Sequence, residues 1–228
     1  MRAIEPNSPY WAARSSPPSD CALMPKTTRQ KKAYHHGDLR PALIAAGLKV
    51  LRKEGLPALS LRRVAREARV SPAAPYRHFK DKQALLAAIS EDGFRQLYEL
   101  LHEARKAHAG DVDAAGQAYL AFALHHPENY RLMFTQNVMC GGEPDESLRQ
   151  AGAQAFNSLV ETIEEGMRGG KISQADSGQL ALAAWALVHG VAMLLIDGAL
   201  SDRSPTPLQP EQILAMCQSF FRQGWRAV

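Results

Sequence analysis

The chain has 228 residues, enough for one large domain or two small ones, and its 46% hydrophobic content fits a packed globular protein and excludes a disordered one. Its net charge of +4 is unevenly spread: residues 26–82 hold 15 Lys and Arg against 4 Asp and Glu (+11), residues 83–228 hold 10 against 17 (−7), and residues 1–25 balance at 2 against 2. A basic module joined to an acidic body implies that the module alone meets a polyanion, with nucleic acid the first candidate and an anionic membrane surface the second.

Residues 1–25, rich in Pro and Ser and without a hydrophobic period, read as a disordered tail, and Met24 at its end is a candidate translation start. They lack the apolar core of a signal peptide. Cys21, Cys140 and Cys217 lie far apart and form no CxxC pair, which argues against a disulfide framework or a zinc site and fits a reducing, cytoplasmic setting. Lys26, Arg29, Lys31 and Lys32 form a basic arm that either follows a DNA backbone into the minor groove or stands as a solvated tail. His35 and His36 have no third ligand at suitable spacing, so no metal is expected, and nothing in the chain calls for a cofactor.

Organised sequence begins with Leu43, Ala46, Gly47 and Val50, broadened by Ile44, Leu48 and Leu51, whose spacing predicts a first helix over about 38–53. Gly55 suits a left-handed cap, and Pro57 follows it. Ser60 caps a short second helix with Leu61, Val64, Ala65 and Ala68 on its buried face. Ser71 is placed to cap a third, with Pro72 at the first helical position, where its missing N–H does no harm. Asp81 caps a long fourth helix carrying Leu86, Ile89, Gly93, Leu97 and Leu100. Further helices are expected near 112–126, 127–136, 145–168, 174–199 and 209–226, broken at Pro127, Gly141–Pro144, Gly169–Gly170 and the Pro205/Pro207/Pro210 loop. No alternating strand is present, so the fold class is all-α. The domains are a tail (1–25), a helix-turn-helix module (26–82) and a helical body (83–228). Residues 177–196 carry no charge and approach the length of a membrane span, but they hold Ser177, Gln179, His189 and two glycines; they read as a buried helix, with no membrane partner.

Two short helices in residues 60–79, separated by a few residues and bearing exposed arginines, follow the helix-turn-helix plan, in which the second helix enters the major groove. Arg77 suits guanine or phosphate, Tyr76 stacking or a backbone hydrogen bond, and Lys82 phosphate. The run from Val70 through Lys82 (Val-Ser-Pro-Ala-Ala-Pro-Tyr-Arg-His-Phe-Lys-Asp-Lys), followed by Leu85-Leu86, resembles the signature of the TetR family of repressors. Leu59–Ala65 and His35–Arg40 resemble that family's second helix and the approach to its first. The resemblance implies that Ser60, Ser71, Ala73, Ala74, Tyr76, Arg77, His78 and Lys82 face DNA and that Phe79 lies in the core. His78 remains open to a second role, bracing the turn. Pro75 stands where the wider family has Leu or a similar residue; it lacks the N–H that would bond to the Ser71 carbonyl, so a distorted first turn is expected.

In the body, Leu180, Ala184, Leu187, Val191 and Leu194, with Ile213, Met216, Cys217, Phe220 and Phe221, give two stripes that suit a homodimer through the last two helices or the chain's own core. Tyr119–Leu124, His126-Pro127, Tyr130–Phe134 and Trp185–Gly190 resemble TetR proteins with a WHG-type C-terminal domain, whose Trp, His and Gly are here Trp185, His189 and Gly190. Gly190 is expected to let a neighbouring helix approach closely. A ligand pocket is expected near Phe122, Tyr130, Met133, Phe134, Trp185, His189 and Met193, unless these are simply core. No nucleophile–base pair, phosphate-cradling loop or well-placed acid pair suggests an enzyme. The expected protein is a regulator that binds a palindromic double-stranded DNA operator and is released by a small apolar effector.

Overall fold

The computed structural model describes residues 39–135, 146–200 and 208–225, with side chains to 222. The tail, the basic arm, His35-His36, Cys21, Cys140, the 141–144 break and Pro205/Pro207 lie outside the described residues. Within them the chain forms α1 (Leu39–Glu54), α2 (Leu61–Ala68), α3 (Lys82–Ala107), α4 (Val112–His125), α5 (Pro127–Met133), α6 (Glu146–Arg168), α7 (Ser177–Ile196) and α8 (Pro210–Trp225), with no strand among them.

Four of the eight helices among the described residues start at a side-chain cap, Ser60, Asp81, Asp111 and Asp176. The Ser60 hydroxyl accepts from the Arg63 N–H at 3.2 Å, and Asp81 Oδ1 accepts from Ala84 N–H at 2.8 Å. Two local expectations are corrected. Gly55 has the positive φ foreseen (79°), but its ψ of 173° lies outside the left-handed helical region; the chain turns straight into a 3-10 turn at Leu56–Ala58. The third helix expected from Ser71 is a single 3-10 turn, Pro75–Arg77. Ser71 contributes its carbonyl, which accepts from Ala74 N–H at 3.0 Å, and the next bonds run from Arg77 to Ala74 and from His78 and Phe79 to Pro75. Residue 75 has no N–H to continue an α-helical ladder, and its ring is buried, so the segment tightens into 3-10 geometry.

α3 is the spine. Its first half closes the basic module, burying Leu85, Leu86 and Ile89 with Leu43, Val50, Val64 and Phe79. Its second half packs mainly on α6, and also on α4 and α5. Leu101 rather than the expected Leu100 is buried, because a 26-residue helix drifts relative to a strict repeat. One hydrophobic core runs through both halves, so the boundary expected after residue 82 falls in the first turn of α3 and interrupts no packing. α7 rests on α4, α6 and α8. It is long and apolar enough to cross a membrane, with a mean hydropathy of 1.9, yet it supplies Ala181, Ala184, Val188, Val191 and Ala192 to the core.

Candidate nucleic-acid interface and ligand cavity

The α2–turn segment separates its arginines into structural and free ones. Arg63 is fixed: its guanidinium donates to Glu54 and, at 3.1 Å, to Glu67. Those hydrogen bonds, with one from Lys49 to Glu67, hold both carboxyls below the usual carboxylate range. Arg62, Arg69, Arg77 and Lys80 are exposed and form no ion pair among the described residues. Arg69 ends α2 in the left-handed conformation, with φ 57°.

Of the residues expected to face DNA, Ser60, Ser71, Ala73, Tyr76, Arg77 and His78 are exposed and Ala74 is half-buried. Tyr76, 52% exposed, has its ring outward, an unusual position for an aromatic side chain. Lys82 is partly buried, its ammonium donating to the Leu56 carbonyl at 3.1 Å, so it ties α3 to the turn before α2 and keeps two N–H groups for another acceptor. Phe79 is buried, with the Arg40 guanidinium 5.7 Å above its ring. Among its described residues no side chain in the module has the buried, perturbed character of a catalytic group; their chemistry is exposed cation and hydrogen-bond donor, suited to phosphate and base edges.

In the body, helices α3, α4, α6, α7 and α8 border a partly open cavity of about 980 Å³. Phe94, Leu97, Leu101, Leu148, Phe156, Leu159, Val188, Leu214 and Phe221 line it. Of the expected pocket residues, Phe134 and Trp185 line it as well. Phe122, Tyr130 and Met133 are sealed in the core, and His189 and Met193 do not reach the lining. Tyr119, Gln218, Arg222, Asp113 and Lys171 also line the cavity, and sequence reasoning did not assign them there. The available signal for Tyr119 was a hydroxyl on an otherwise apolar helix face, which needs a partner when buried.

Tyr119 and Trp185 belong to a polar cluster that runs from the cavity into the core. Trp185 Nε1–H donates to Tyr119 Oη at 3.1 Å, and the Tyr130 hydroxyl donates to the same oxygen at 3.0 Å. His189 Nδ1 lies 2.7 Å from Tyr130 Oη and 3.1 Å from Tyr119 Oη. Burial pushes the Tyr119 hydroxyl up to about 12 and raises Tyr130 further, so both stay protonated at physiological pH. The same desolvation holds the His189 imidazole below its ordinary value. Phe134 packs edge-on against His189, ring centres 4.5 Å apart.

Two family models match the chain: "Bacterial regulatory proteins, tetR family" over residues 43–89 and "Tetracyclin repressor-like, C-terminal domain" over 112–217. Together they span more than half of its length. The chain belongs to the TetR family. An HTH-type transcriptional regulator from Haemophilus influenzae is 28% identical over 142 residues, a match covering 59% of this chain and 65% of that protein, which is under two thirds of its length. Among solved structures, a Rhodococcus sp. RHA1 protein of unknown function is 33% identical, with TM-score 0.75, covering 86% of this chain and all of the other. A regulatory protein of the tetR family from Rhodococcus RHA1, 21% identical with TM-score 0.62, covers 84% of this chain and 98% of the other and shares the fold.

The matches show the family of bacterial regulatory proteins to which the chain belongs. The first match ends inside α3 and the second begins at α4, so the family's DNA-binding part corresponds to the basic module and its C-terminal part to the helices around the cavity.

Proposed function

We propose that this TetR-family regulator is a cytoplasmic, homodimeric repressor that binds a palindromic operator and is released by a small molecule held in the 980 Å³ cavity. The observation that carries this reading is the pairing of an exposed, uncompensated cationic turn with a large apolar cavity in one compact body. Ser60, Ser71, Ala73, Ala74, Tyr76, Arg77, His78 and Lys82 are assigned to DNA, Arg77 and Lys82 to phosphate or a base edge, within a module of residues 26–82. A homodimer is supported by Leu182, Leu194, Met216 and Phe220, large apolar side chains left exposed on α7 and α8. Trp185 and His189 meeting at Tyr119 support a WHG-type C-terminal domain. Gly190, by contrast, has nothing within 4 Å of a notional Cβ among the described residues, so no described helix makes the close approach expected there.

Release is a two-state equilibrium: one dimer geometry spaces both recognition turns for successive major grooves, and an effector that prefers the other lowers DNA affinity. Selecting bound duplexes from a random pool at several salt concentrations tests this. A palindrome with half-sites about one helical turn apart is expected. Weak, salt-sensitive binding without enrichment would remove the specific-repressor reading.

A further inference from the structure

We infer that the cavity takes an amphipathic carboxylate, its apolar body lying along an aromatic wall and its carboxylate held by Lys171 at the opposite end. This rests on reading the cavity as a ligand site and names the ligand's class.

The lining is divided along its length. Phe94, Phe134, Trp185 and Phe156 form one continuous aromatic wall, with ring centres 5.4, 6.1 and 6.2 Å apart from each to the next. The Trp185 N–H is spent on Tyr119, so this wall presents ring faces and edges to a ligand. Asp111, Asp113, Lys171, Ser173, Gln218 and Arg222 also line the cavity. They gather where the start of α4, the turn after α6 and the C-terminal half of α8 meet. Gln218 Nε2 donates to the Asp113 carbonyl at 3.4 Å, Arg222 pairs with the Asp113 carboxylate, and Lys171 donates to the Ala109 carbonyl at 2.8 Å. On α4 the two ends are marked by Asp113 and Tyr119, about 9 Å apart at the roughly 1.5 Å rise per residue of a helix. A molecule that suits both ends is elongated and polar at one end only.

Charge at the polar end selects its sign. Arg222 and Asp113 offset each other. Asp111 caps α4, accepting from the Asp113 and Ala114 N–H groups at 2.9 and 3.1 Å, so its charge already faces the positive end of a helix. Arg149, near the start of α6, makes two hydrogen bonds to Glu146, at 2.8 and 2.6 Å. Lys171 forms no ion pair among the described residues; its bond to a neutral carbonyl leaves two N–H groups for an anion.

Solvent makes that anion tolerable. Lys171, Ser173 and Arg222 are exposed and the cavity is partly open. A carboxylate placed there keeps part of its water and escapes most of the desolvation cost that a fully buried ion meets. The chain behind it leaves water for the aromatic wall, which supplies the binding energy. An ammonium head would meet Lys171 as a like charge.

Three molecules with one chain and different heads test this: decanoate, decanol and decylammonium, each measured by equilibrium dialysis against the full-length protein at neutral pH. Decanoate should bind about threefold to fivefold more tightly than decanol, the ratio an ion pair at an exposed lysine gives, and decylammonium more weakly than either. Lys171→Gln should bring decanoate and decanol level, whereas Lys171→Arg should keep them apart. Should either variant fail to fold, the wild-type ratios still decide. Decanol binding as tightly as decanoate would overturn the Lys171 contact. Decylammonium binding best would overturn the sign and hand the polar end to Asp111 and Asp113. Binding by none of the three would overturn the amphipathic class. Release of a selected operator duplex is scored separately: decanoate that binds with the expected ratios but leaves DNA in place would uphold the ligand class and remove the effector reading.

Discussion

Glu91, buried in α3, holds the Arg40 guanidinium of α1 at 3.7 Å, and so joins the first helix of the DNA-binding module to the spine of the body. The same carboxylate pairs with Arg95 and accepts the Ser147 hydroxyl of α6 at 3.0 Å. One carboxylate therefore contacts both α1 and α6. Glu91→Gln should cost about 1–2 kcal/mol in urea unfolding, the worth of hydrogen bonds to a charged group. Arg95→Ala, which removes only a solvent-exposed partner, should cost less than about 0.5 kcal/mol. Equal losses would show that Glu91 is an ordinary surface acid and not a junction.

Pro75 decides the shape of the recognition element, since the turn it imposes replaces an α-helix that begins at Ser71. Pro75→Ala restores an N–H that the Ser71 carbonyl can accept, and the turn can then lengthen into α-helix. The orientation of Ala73, Tyr76 and Arg77 would change with it. Repeating the duplex selection with this variant should yield a different half-site at similar overall affinity, with stability changed by no more than about 1 kcal/mol. An identical half-site would mean that the turn geometry does not set specificity.

Arg77 and Lys82 are separable. Arg77 is exposed and unpaired, so Arg77→Ala should weaken operator binding and lower the slope of log K against log salt by about one if it meets phosphate, with no loss of thermal stability. Lys82→Ala also deletes the bond to the Leu56 carbonyl, so it should lose affinity and about 0.5–1.5 kcal/mol of stability. Wild-type operator affinity in both variants would refute the contact assignment.

The helices were legible because their signals are local: the Ser60 and Asp81 caps and the Leu43–Val50 spacing act within a few residues. The cavity was not. Phe122 and Phe134 are both aromatic residues on apolar helical segments, yet one is sealed in the core and the other lines a space bounded by five helices. Which side of a helix faces a void depends on how far its neighbours stand off, and no local spacing encodes that. Tyr119 escaped for the same reason, its role being set by Trp185, Tyr130 and His189 brought from other helices. Pro75 lay between these cases: the missing N–H was readable, the resulting 3-10 turn only in the structure.

His189 gives a pH signature. Burial lowers its folded pKa below the ordinary value near 6.5, so the unfolded chain takes up a proton that the folded chain resists. Above that pH both states are neutral and nothing is lost; as pH falls through it, stability declines. His126, lowered by burial and by Arg52, adds with the same sign. Glu54 and Glu67, held low by their partners, act only at more acidic pH, below their ordinary value of 4.5. Between about pH 7 and 5 the unfolding midpoint should fall, and His189→Phe should flatten that slope. An unchanged slope in the variant would place the titration elsewhere.

Two glycines with opposite surroundings test the dimer. At Gly93 a Cβ would lie 2.6 Å from Met133 Sδ and 2.8 Å from Asn129 Nδ2, so Gly93→Ala should overpack the α3–α5 contact by about 1–3 kcal/mol, more than the roughly 1 kcal/mol that Ala gains over Gly in a helix. At Gly190 a Cβ meets nothing within 4 Å. On one protomer alone, Gly190→Ala should therefore stabilise α7, by up to about 1 kcal/mol. If two copies meet through α7 and α8, where Leu182, Leu194 and Phe220 are exposed, the open space at Gly190 belongs to a helix of the second copy. The added methyl would then push the two apart. Sedimentation across a dilution series separates the cases: a dimer that dissociates at higher concentration in Gly190→Ala places the interface on α7, whereas unchanged dissociation with a raised unfolding midpoint moves it off that face.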